Sequence, residues 1–383
     1  MHMLPTVFFS RARLRWIGVF SAILLCFGLT TTAHAQLGQS SALFLRIEPD
    51  SRGAGMGNTG VAIADNANAM FWNPAGLGFQ GSPEVGITHA NWLPEFDAGL
   101  FYEYLVGTYH VDDIGTFGAN LIFLNLGETE IIDTEGQLID ESSAFEMALG
   151  LSYGRQLNDN FSLGGGVRAI YSRLSPETAD IGSGTAFSGT FDLAALYRTN
   201  PFNLAGTPTT FSLGANLANM GTHIQYFEDK QAVPTNLRLG YAFTFDFDEY
   251  NSLTLANDFN KELVSVDEDG SNPDPFYKAI FNSWGPAPGE RRPGADGEDE
   301  LTELGVAEQF TMGAGLEYWY ADLFALRSGY FYEHPDNGNR QFLTFGAGVR
   351  WNIVGIDFSY LYTLEEENPL SDTLRFSLLL SFQ

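Results

Sequence analysis

The stretch Leu374-Arg375-Phe376-Ser377-Leu378-Leu379-Leu380-Ser381-Phe382 places a large apolar side chain at every second position. Because alternate side chains of a strand point to opposite faces, these apolar groups share one face and the polar groups share the other. In a soluble sandwich the apolar face would turn inward. Here the second face carries two serines, one leucine and a single charge, which suits a water-filled lumen. The stretch therefore predicts a strand of an outer-membrane barrel, with lipid outside and water inside.

Similar stretches of ten or so residues recur along the chain. In one of them Met147, Leu149 and Leu151 are predicted to face outward, whereas Glu146 and Ser152 face inward. The sequence predicts an all-β fold, a 14-stranded antiparallel transmembrane β-barrel, with strands at residues 84–92, 98–110, 114–124, 143–156, 160–173, 184–199, 209–218, 235–246, 249–258, 307–319, 322–333, 340–350, 353–363 and 372–382.

The connections between these strands alternate in length. Tight turns are predicted at 111–113, 157–159, 247–248, 320–321 and 351–352, with one longer connection of the same kind at 200–208. The remaining segments are mostly long and fall at the other end: 93–97, 125–142, 174–183, 219–234, 259–306, 334–339 and 364–371. Outer-membrane barrels have short periplasmic turns and longer outer loops, so this alternation supports the strand count. The acidic, proline-rich loop 259–306 predicts a mobile outer lid or partner-binding loop, with plain disorder as the alternative.

Residues 1–35 have the organisation of a signal peptide. Its basic region, apolar run and cleavage site follow in order: Arg11, Arg13 and Arg15, then Trp16 to Leu29, then Ala33-His34-Ala35. The apolar run is shorter than the roughly twenty residues that a spanning helix needs, so we expect cleavage before Gln36 and export. The only cysteine, Cys26, leaves with this leader. The mature chain therefore has no disulfide.

Charge and motifs disfavour several classes of protein. The net charge is −28, and no basic stripe is present to neutralise nucleic-acid phosphates. The remaining histidines are far apart in sequence and no cysteine can complete a zinc site, so no metal or other cofactor is expected. No Gly-x-Ser-x-Gly sequence marks a nucleophile, and we expect that the protein is not an enzyme.

Residues 36–80 lack the strand pattern and precede the barrel domain of residues 81–383. They contain Gly55-Met56-Gly57-Asn58-Thr59-Gly60, which matches a dinucleotide-binding spacing, but no helix-strand alternation follows in the sequence. We interpret these glycines as a sharp turn before a short helix from Gly60 to Met70, which Pro74 prevents from continuing. So small a unit cannot bury its own apolar groups. We therefore predict that residues 36–80 form a hatch against the barrel wall or inside it.

Charged residues of both signs stand at positions predicted to face the lumen: Glu103, Glu146, Arg168, Asp192, Arg238, Glu317, Arg327, Arg350, Asp357 and Arg375. Because a buried charge needs a partner, we expect them to pair across the lumen and fasten the hatch. A polar path for a solute is the alternative. A second set lies near strand ends and predicts aromatic girdles at the membrane interfaces: Trp92, Trp319, Tyr320, Trp351, Tyr360 and Tyr362.

The N-terminal sequence resembles a known family. Leu45-Arg46-Ile47-Glu48-Pro49-Asp50-Ser51-Arg52-Gly53-Ala54-Gly55-Met56-Gly57 and the later run Phe71-Trp72-Asn73-Pro74-Ala75-Gly76-Leu77 resemble the PorV/PorQ family, which belongs with the FadL-like fourteen-stranded barrels. The segment from His89 to Phe96 is more similar to PorV than to PorQ. By this resemblance Trp72, Asn73, Pro74 and Ala75 match the family's hatch motif, and Gly55 and Gly57 join them as hatch residues.

The resemblance implies a component of the type IX secretion system, embedded in outer-membrane lipid. Such a component binds the C-terminal signal domain of secreted cargo and passes it from the translocon channel to the surface sortase. A FadL-like outer-membrane channel for hydrophobic solutes is the alternative, although the charged lumen set argues against a lipid pathway. An outer-membrane hydrolase would need a catalytic group that the sequence does not display.

Overall fold

The computed structural model of the chain describes residues 40–132, 138–175, 184–227, 229–266, 272–293, 299–365 and 368–382. The predicted signal peptide lies outside these residues. Within the described ranges, no helix combines the length and the apolar character needed to cross a membrane.

Fourteen antiparallel strands form a closed barrel. Each strand pairs with its neighbours in chain order, and the last closes on the first with Ser381 opposite Glu84. The strands are β1 (Glu84–Asn91), β2 (Phe101–Val111), β3 (Gly115–Ile132), β4 (Leu138–Asn158), β5 (Phe161–Arg173), β6 (Thr185–Arg198), β7 (Thr207–Gly221), β8 (Asn236–Asp246), β9 (Asn251–Glu262), β10 (Phe310–Tyr320), β11 (Phe324–Tyr332), β12 (Gln341–Trp351), β13 (Val354–Thr363) and β14 (Leu374–Ser381). The predicted 14-stranded fold is confirmed.

The predicted faces are confirmed for β4 and β14. Leu149 and Leu151 of β4 are 56% and 58% exposed, whereas Glu146 and Ser152 on the same strand are buried. In β14, Phe376 points outward and Arg375 inward. The wall therefore presents an apolar outer surface, as an outer-membrane barrel requires.

The connections sort by length between the two ends of the barrel. The end here called the short-turn end has connections at 112–114, 159–160, 199–206, 247–250, 321–323 and 352–353. The longer connection there contains a short strand, Phe202–Leu204, which pairs with the beginning of β7. The opposite end, here called the long-loop end, contains the connections 92–100, 133–137, 174–184, 222–235, 263–309, 333–340 and 364–373.

One predicted loop is largely strand. Residues 125–132 and 138–142 continue the hairpin of β3 and β4. The pairing shifts register after Asn125 and resumes with Glu128 opposite Ser143. The prediction was wrong because it required lipid-facing apolar side chains. A hairpin that projects beyond the membrane needs only paired backbone groups.

The long loop 263–309 contains regular structure. Helix α3 (Phe276–Asn282) is followed by a hairpin of Ala287–Pro293 with Asp299–Leu304. A smaller hairpin joins Ile224–Tyr226 to Asp229–Gln231, and short 3-10 helices lie at Pro94–Phe96 and Pro335–Asn337. Residues 267–271 and 294–298 of the predicted lid lie outside the described residues.

Residues 40–80, here called the inner segment, lie within the barrel. They form the helices α1 (Ser51–Ala54) and α2 (Ala69–Trp72) and the 3-10 helices Leu43–Arg46 and Pro74–Phe79. Most of their side chains are buried, and they contribute much of the largest apolar cluster, which barrel residues such as Tyr102, Tyr104 and Ile122 complete.

The predicted helix from Gly60 to Met70 is wrong, because helical structure begins only at Ala69. Carboxylates of the barrel wall instead accept hydrogen bonds from backbone N–H groups of this stretch. Asp258 accepts hydrogen bonds from the N–H of Gly60 at 2.7 Å and of Val61 at 2.9 Å, and Glu84 accepts one from Ala67 at 2.6 Å. The wall thus supplies partners that a helix would otherwise provide.

Candidate functional site

Trp72 is held in a slot made by the inner segment itself. A Cβ atom would lie 2.1 Å from the indole ring at Gly60 and 2.3 Å from it at Gly53, so both sites need glycine. The indole Nε1 donates to Asp50 Oδ1 at 2.6 Å, and Asp50 also accepts the N–H of Gly53 at the start of α1. Burial raises the pKa of Asp50, opposed by the hydrogen bond from Trp72.

The side chain of Asn73 makes three hydrogen bonds, two within the inner segment and one to the wall. Its Nδ2 donates to the carbonyl oxygens of Val61 at 3.0 Å and of Ala195 in β6 at 3.1 Å. Its Oδ1 accepts the N–H of Ala75 at 3.1 Å. The side chain is fully buried, so each group lost would leave a buried partner unsatisfied. This accounts for an asparagine directly before Pro74.

The backbone of the inner segment touches the backbone of the wall at glycines. A Cβ at Gly329 would lie 2.1 Å from the nitrogen of Gly57, and one at Gly164 would lie 2.3 Å from the carbonyl carbon of Pro74. Other lumen-facing glycines make similarly close approaches to this segment: Gly154, Gly214, Gly313 and Gly315. Gly57 has a φ of 68° and lies against Tyr330 of β11, whereas Gly55 approaches Gly346 of β12. The wall and the segment fit only because both lack side chains here.

An ion network fastens the segment at the short-turn end. Arg52 makes two hydrogen bonds to Glu317, at 2.8 and 2.9 Å. Glu317 is also 2.7 Å from Arg327, which reaches Asp357 at 2.7 Å, and Arg350 is 2.6 Å from Asp357. The five residues are here called the short-turn network, and they connect α1 to β10, β11, β12 and β13.

Two further groups complete this network. The guanidinium groups of Arg327 and Arg350 lie 5.5 and 5.3 Å from the ring centre of Trp319. Asp65 of the inner segment is 2.5 Å from Arg52 but its side chain is 43% exposed. Burial alone would lower the pKa of Arg52, but the carboxylates of Asp65 and Glu317 outweigh it and raise that pKa well above its ordinary value.

Two more arginines of the wall, Arg168 of β5 and Arg238 of β8, are buried in the lumen. Arg168 is 3.1 Å from Asp192 and also donates to Asn219, at a register shift between β6 and β7. Arg238 donates to the carbonyl oxygen of Phe71 at 3.3 Å and lies 4.4 Å from the centre of its ring. Arg168 therefore connects β5 to β6 and β7 by polar contacts. Arg238 connects β8 to the inner segment.

A cavity of about 600 Å³ opens at the long-loop end above the inner segment. The segment supplies its floor with Phe44, Ile47 and Glu48. Two buried charges of the wall line it, Arg375 and Glu146. Among the described residues Glu146 accepts a hydrogen bond from Ser172 at 3.0 Å but forms no ion pair. A smaller cavity of about 280 Å³ lies at the short-turn end, so the inner segment separates two spaces.

Three predicted positions are corrected. Glu103 faces outward beside His89, at 2.8 Å, because Tyr102 and Tyr104 occupy the lumen face of β2. Trp319 faces inward against the short-turn network, and Trp92 lines the cavity at the long-loop end. Neither tryptophan belongs to an aromatic girdle. By contrast, Tyr320, Trp351 and Tyr362 are exposed on the outer surface.

The described residues contain no group of three or more histidine, cysteine or acidic side chains placed to hold a metal ion. The four histidines of the barrel lie apart: His89 and His110 each lie near one carboxylate, and His334 lies near two, those of Glu308 and Asp336. The arrangement of the lumen is one of packing, hydrogen bonding and ion pairing.

Comparison with known proteins identifies the family. Residues 31–269 match the family model described as "Type IX secretion system protein PorV". The chain belongs to the PorV family. No curated protein matches the sequence.

Solved structures support the fold of this PorV-family chain. The toluene transporter TodX of Pseudomonas putida has a TM-score of 0.52 and 13% identity, and the match covers 88% of this chain and 99% of that chain. The toluene transporter TbuX of Ralstonia pickettii has a TM-score of 0.47 and 13% identity over 88% and 99% of the two chains. A Pseudomonas aeruginosa FadL homologue has a TM-score of 0.44 and 14% identity over 87% and 98%. At these identities the likeness to TodX concerns the fold alone. A PorV-family barrel of this kind is an outer-membrane protein.

Sequence reasoning missed several residues of the lumen. Asp258 and Glu84 were not singled out, although they hold the backbone of the inner segment. Arg52 and Asp65 were also missed. Their signal was weak, because a single charge in an irregular segment has no periodicity to indicate which way it points.

Proposed function

We propose that this PorV-family barrel receives secreted cargo in the outer membrane. In this proposal its long-loop end binds the C-terminal signal domain of type IX cargo, and the protein passes that cargo from the translocon channel to the surface sortase. The observation that carries the proposal is the family match over residues 31–269, which covers the inner segment and the first half of the barrel.

The packing of the lumen supports an anchoring role for the barrel. The inner segment contacts the wall through backbone-to-backbone approaches and buried ion pairs, so it separates the two cavities. A barrel filled in this way holds its loops in the membrane and keeps the membrane sealed. Protein cargo would then be handled on the long loops and not conducted through the lumen.

The ordered structure of the long-loop end supports a binding platform there. Gln309 donates to the carbonyl oxygens of Gly285 and Leu304, and so connects the end of loop 263–309 to its hairpin. Phe276 of α3 packs edge-to-face on Phe191 of β6, with ring centres 5.4 Å apart. The neighbouring Phe281 is 78% exposed. These contacts place apolar groups on a loop that the barrel positions.

Deletion of the gene tests the cargo role. We expect proteins that bear type IX C-terminal domains to disappear from the cell surface and to accumulate inside the cell, with rescue by the intact gene. If these proteins still reach the surface, the cargo role is wrong.

A channel for hydrophobic solutes is the second candidate. The cavity at the long-loop end favours it, because Trp92, Leu124 and Leu126 form an apolar wall there. In that case the deletion strain would display its surface proteins normally and lose uptake of a hydrophobic solute such as a long-chain fatty acid.

The proposed sealing role has its own test. Removal of residues 43–79 should raise ion conductance in planar bilayers, with the intact chain as the reference. The shortened barrel must first show heat-modifiable electrophoretic mobility, which establishes that it has folded. Conductance equal to that of the intact protein would exclude a hatch.

A further inference from the structure

Arg375 is a buried cation with an incomplete set of partners. It is 4% exposed and lines the long-loop cavity, and its Nε has no hydrogen-bond partner among the described residues. Within those residues it also forms no ion pair. Glu48 and Asp50 act on it electrostatically, but Glu48 accepts a hydrogen bond from Asn58 and Asp50 accepts one from Trp72. A buried guanidinium in this state favours an added anion.

The shape of the cavity limits what can bring that anion. The inner segment supplies the floor, and an extended chain can enter from the long-loop end. Arg375 is the second residue of β14, near that end, so a chain that ends inside the cavity can place its terminal group on the guanidinium. A carboxylate at a chain terminus has the charge and the two oxygens that a guanidinium binds best.

The mixed chemistry of the wall distinguishes a peptide from an acyl chain. Large apolar side chains line the cavity together with amide and hydroxyl groups: Trp92, Leu124, Leu126, Leu361 and Leu370 with Asn58, Asn260, Thr311 and Asn337. Four carboxylates also line it, those of Glu48, Glu146, Glu262 and Glu333, of which Glu262 pairs with Arg46 and Glu333 with Arg340. A peptide backbone needs hydrogen-bond partners along its length, whereas an acyl chain leaves polar groups unsatisfied. The cavity volume of about 600 Å³ lies in the range of ligand sites and suits a few residues.

We infer that the long-loop cavity binds the C-terminal end of an extended polypeptide, with its terminal carboxylate on Arg375. The inference rests on the proposed cargo role and adds a specific subsite to it. The cargo domain as a whole contacts the long loops, and its last residues enter the cavity. Arg375 is therefore a specificity-determining residue for a free carboxyl terminus.

The test uses the full-length barrel in detergent micelles and a fluorescent decapeptide that ends a type IX C-terminal domain from the same organism. Two forms of the peptide are compared, one with a free carboxylate and one with a terminal amide. Because one charge-assisted pair is removed, amidation should weaken binding about 10- to 100-fold in the native protein. In Arg375→Gln the affinity for the peptide with a free carboxylate should fall by the same factor, and amidation of the peptide should weaken binding no further.

Two variants serve as controls. Arg375→Lys keeps the charge and should recover part of the discrimination between the two peptides. Arg155→Gln removes the same charge from an exposed site at the short-turn end and should change neither affinity. Each variant is used only after it shows heat-modifiable mobility.

The failures are distinguishable. Equal binding of the two peptides by the native barrel, with the intact cargo domain still bound, overturns the carboxylate subsite and leaves the cargo role in place. Absence of any binding of the intact domain overturns both. If oleate displaces the peptide and depends on Arg375 while amidation has no effect, the cavity is a site for a hydrophobic solute and the inference is wrong.

Discussion

The two ends of the lumen use buried charge in opposite ways. At the short-turn end Arg327 is fully buried and hydrogen-bonds to Glu317 and Asp357, each of which also contacts a second arginine. At the long-loop end Arg375 and Glu146 are equally buried, and neither forms an ion pair among the described residues. Burial is thus similar while pairing differs.

This difference in pairing indicates which buried charges stabilise the fold. A paired and hydrogen-bonded charge has its desolvation offset within the fold, so its removal damages the fold. A buried charge that lines a cavity without an ion pair lowers the stability of the fold, and its presence there favours a binding role. Stability measurements on the two ends can therefore test a functional assignment.

The largest effect is expected for Arg327→Met. This change removes two charge-assisted interactions, one with the buried Glu317 and one with the buried Asp357, and the free energy of unfolding should fall by about 3 kcal/mol. The value stays at the lower end of the range for buried pairs because Arg52 and Arg350 each still hold one carboxylate. Urea titration followed by heat-modifiable mobility measures the change.

The matched variant at the other end is Arg375→Met. It removes the same charge from a site without an ion pair, so the free energy of unfolding should change by less than about 1 kcal/mol. A loss as large as that of Arg327→Met would show that the contrast between the two ends is wrong.

A second prediction concerns the close fit of wall and inner segment. Gly164→Val would drive a side chain into Pro74, since even its Cβ would lie 2.3 Å from that backbone. We expect a loss of about 2 kcal/mol and a rise in bilayer conductance as the segment shifts. Gly107→Val is the control, because a Cβ there meets nothing nearer than 3.8 Å. A similar loss in the free energy of unfolding in both variants would indicate that valine destabilises the strand itself, without any part played by the inner segment.

The sequence predicted the barrel well because lipid constrains each strand. Every spanning strand must present apolar groups outward, so apolar residues recur at every second position of the strand. The exception is β2, where Phe101, Tyr102, Tyr104 and Leu105 place large groups on both faces. Because both faces carry large side chains, the pattern does not show which face is the outer one, and Glu103 was assigned to the wrong face.

The interior was predicted less completely. The sequence gives no sign that glycines on the lumen face have a packing role, yet Gly164 and Gly329 lie against the backbone of the inner segment. A small residue facing water and a small residue facing a backbone look the same in a sequence. The same limit applies to Trp319 and Trp351, which stand near strand ends alike, although one lies inside the lumen and the other is 73% exposed.

A third prediction tests the polar contacts of the inner segment. Asn73→Ala removes the hydrogen-bond partner of Val61 and of Ala75 in the inner segment and of Ala195 in the wall. The free energy of unfolding should fall by about 1–2 kcal/mol. Asn203→Ala, in the exposed short strand of the 199–206 connection, should change it by less than about 0.5 kcal/mol. Equal effects would mean that Asn73 has no special role in holding the segment.

The smallest effect is expected at the edge of the short-turn network. Asp65→Ala removes one partner of Arg52, but the bidentate contact of Arg52 with the buried Glu317 remains. Because the Asp65 side chain is 43% exposed, water screens the lost pair and the free energy of unfolding should fall by no more than about 0.5 kcal/mol. The same assay applies, with added salt as a further check, since a screened pair contributes less at high ionic strength. A loss comparable to that of Arg327→Met would mean that the strength of the network depends on its exposed rim, and burial would no longer separate structural charges from the rest.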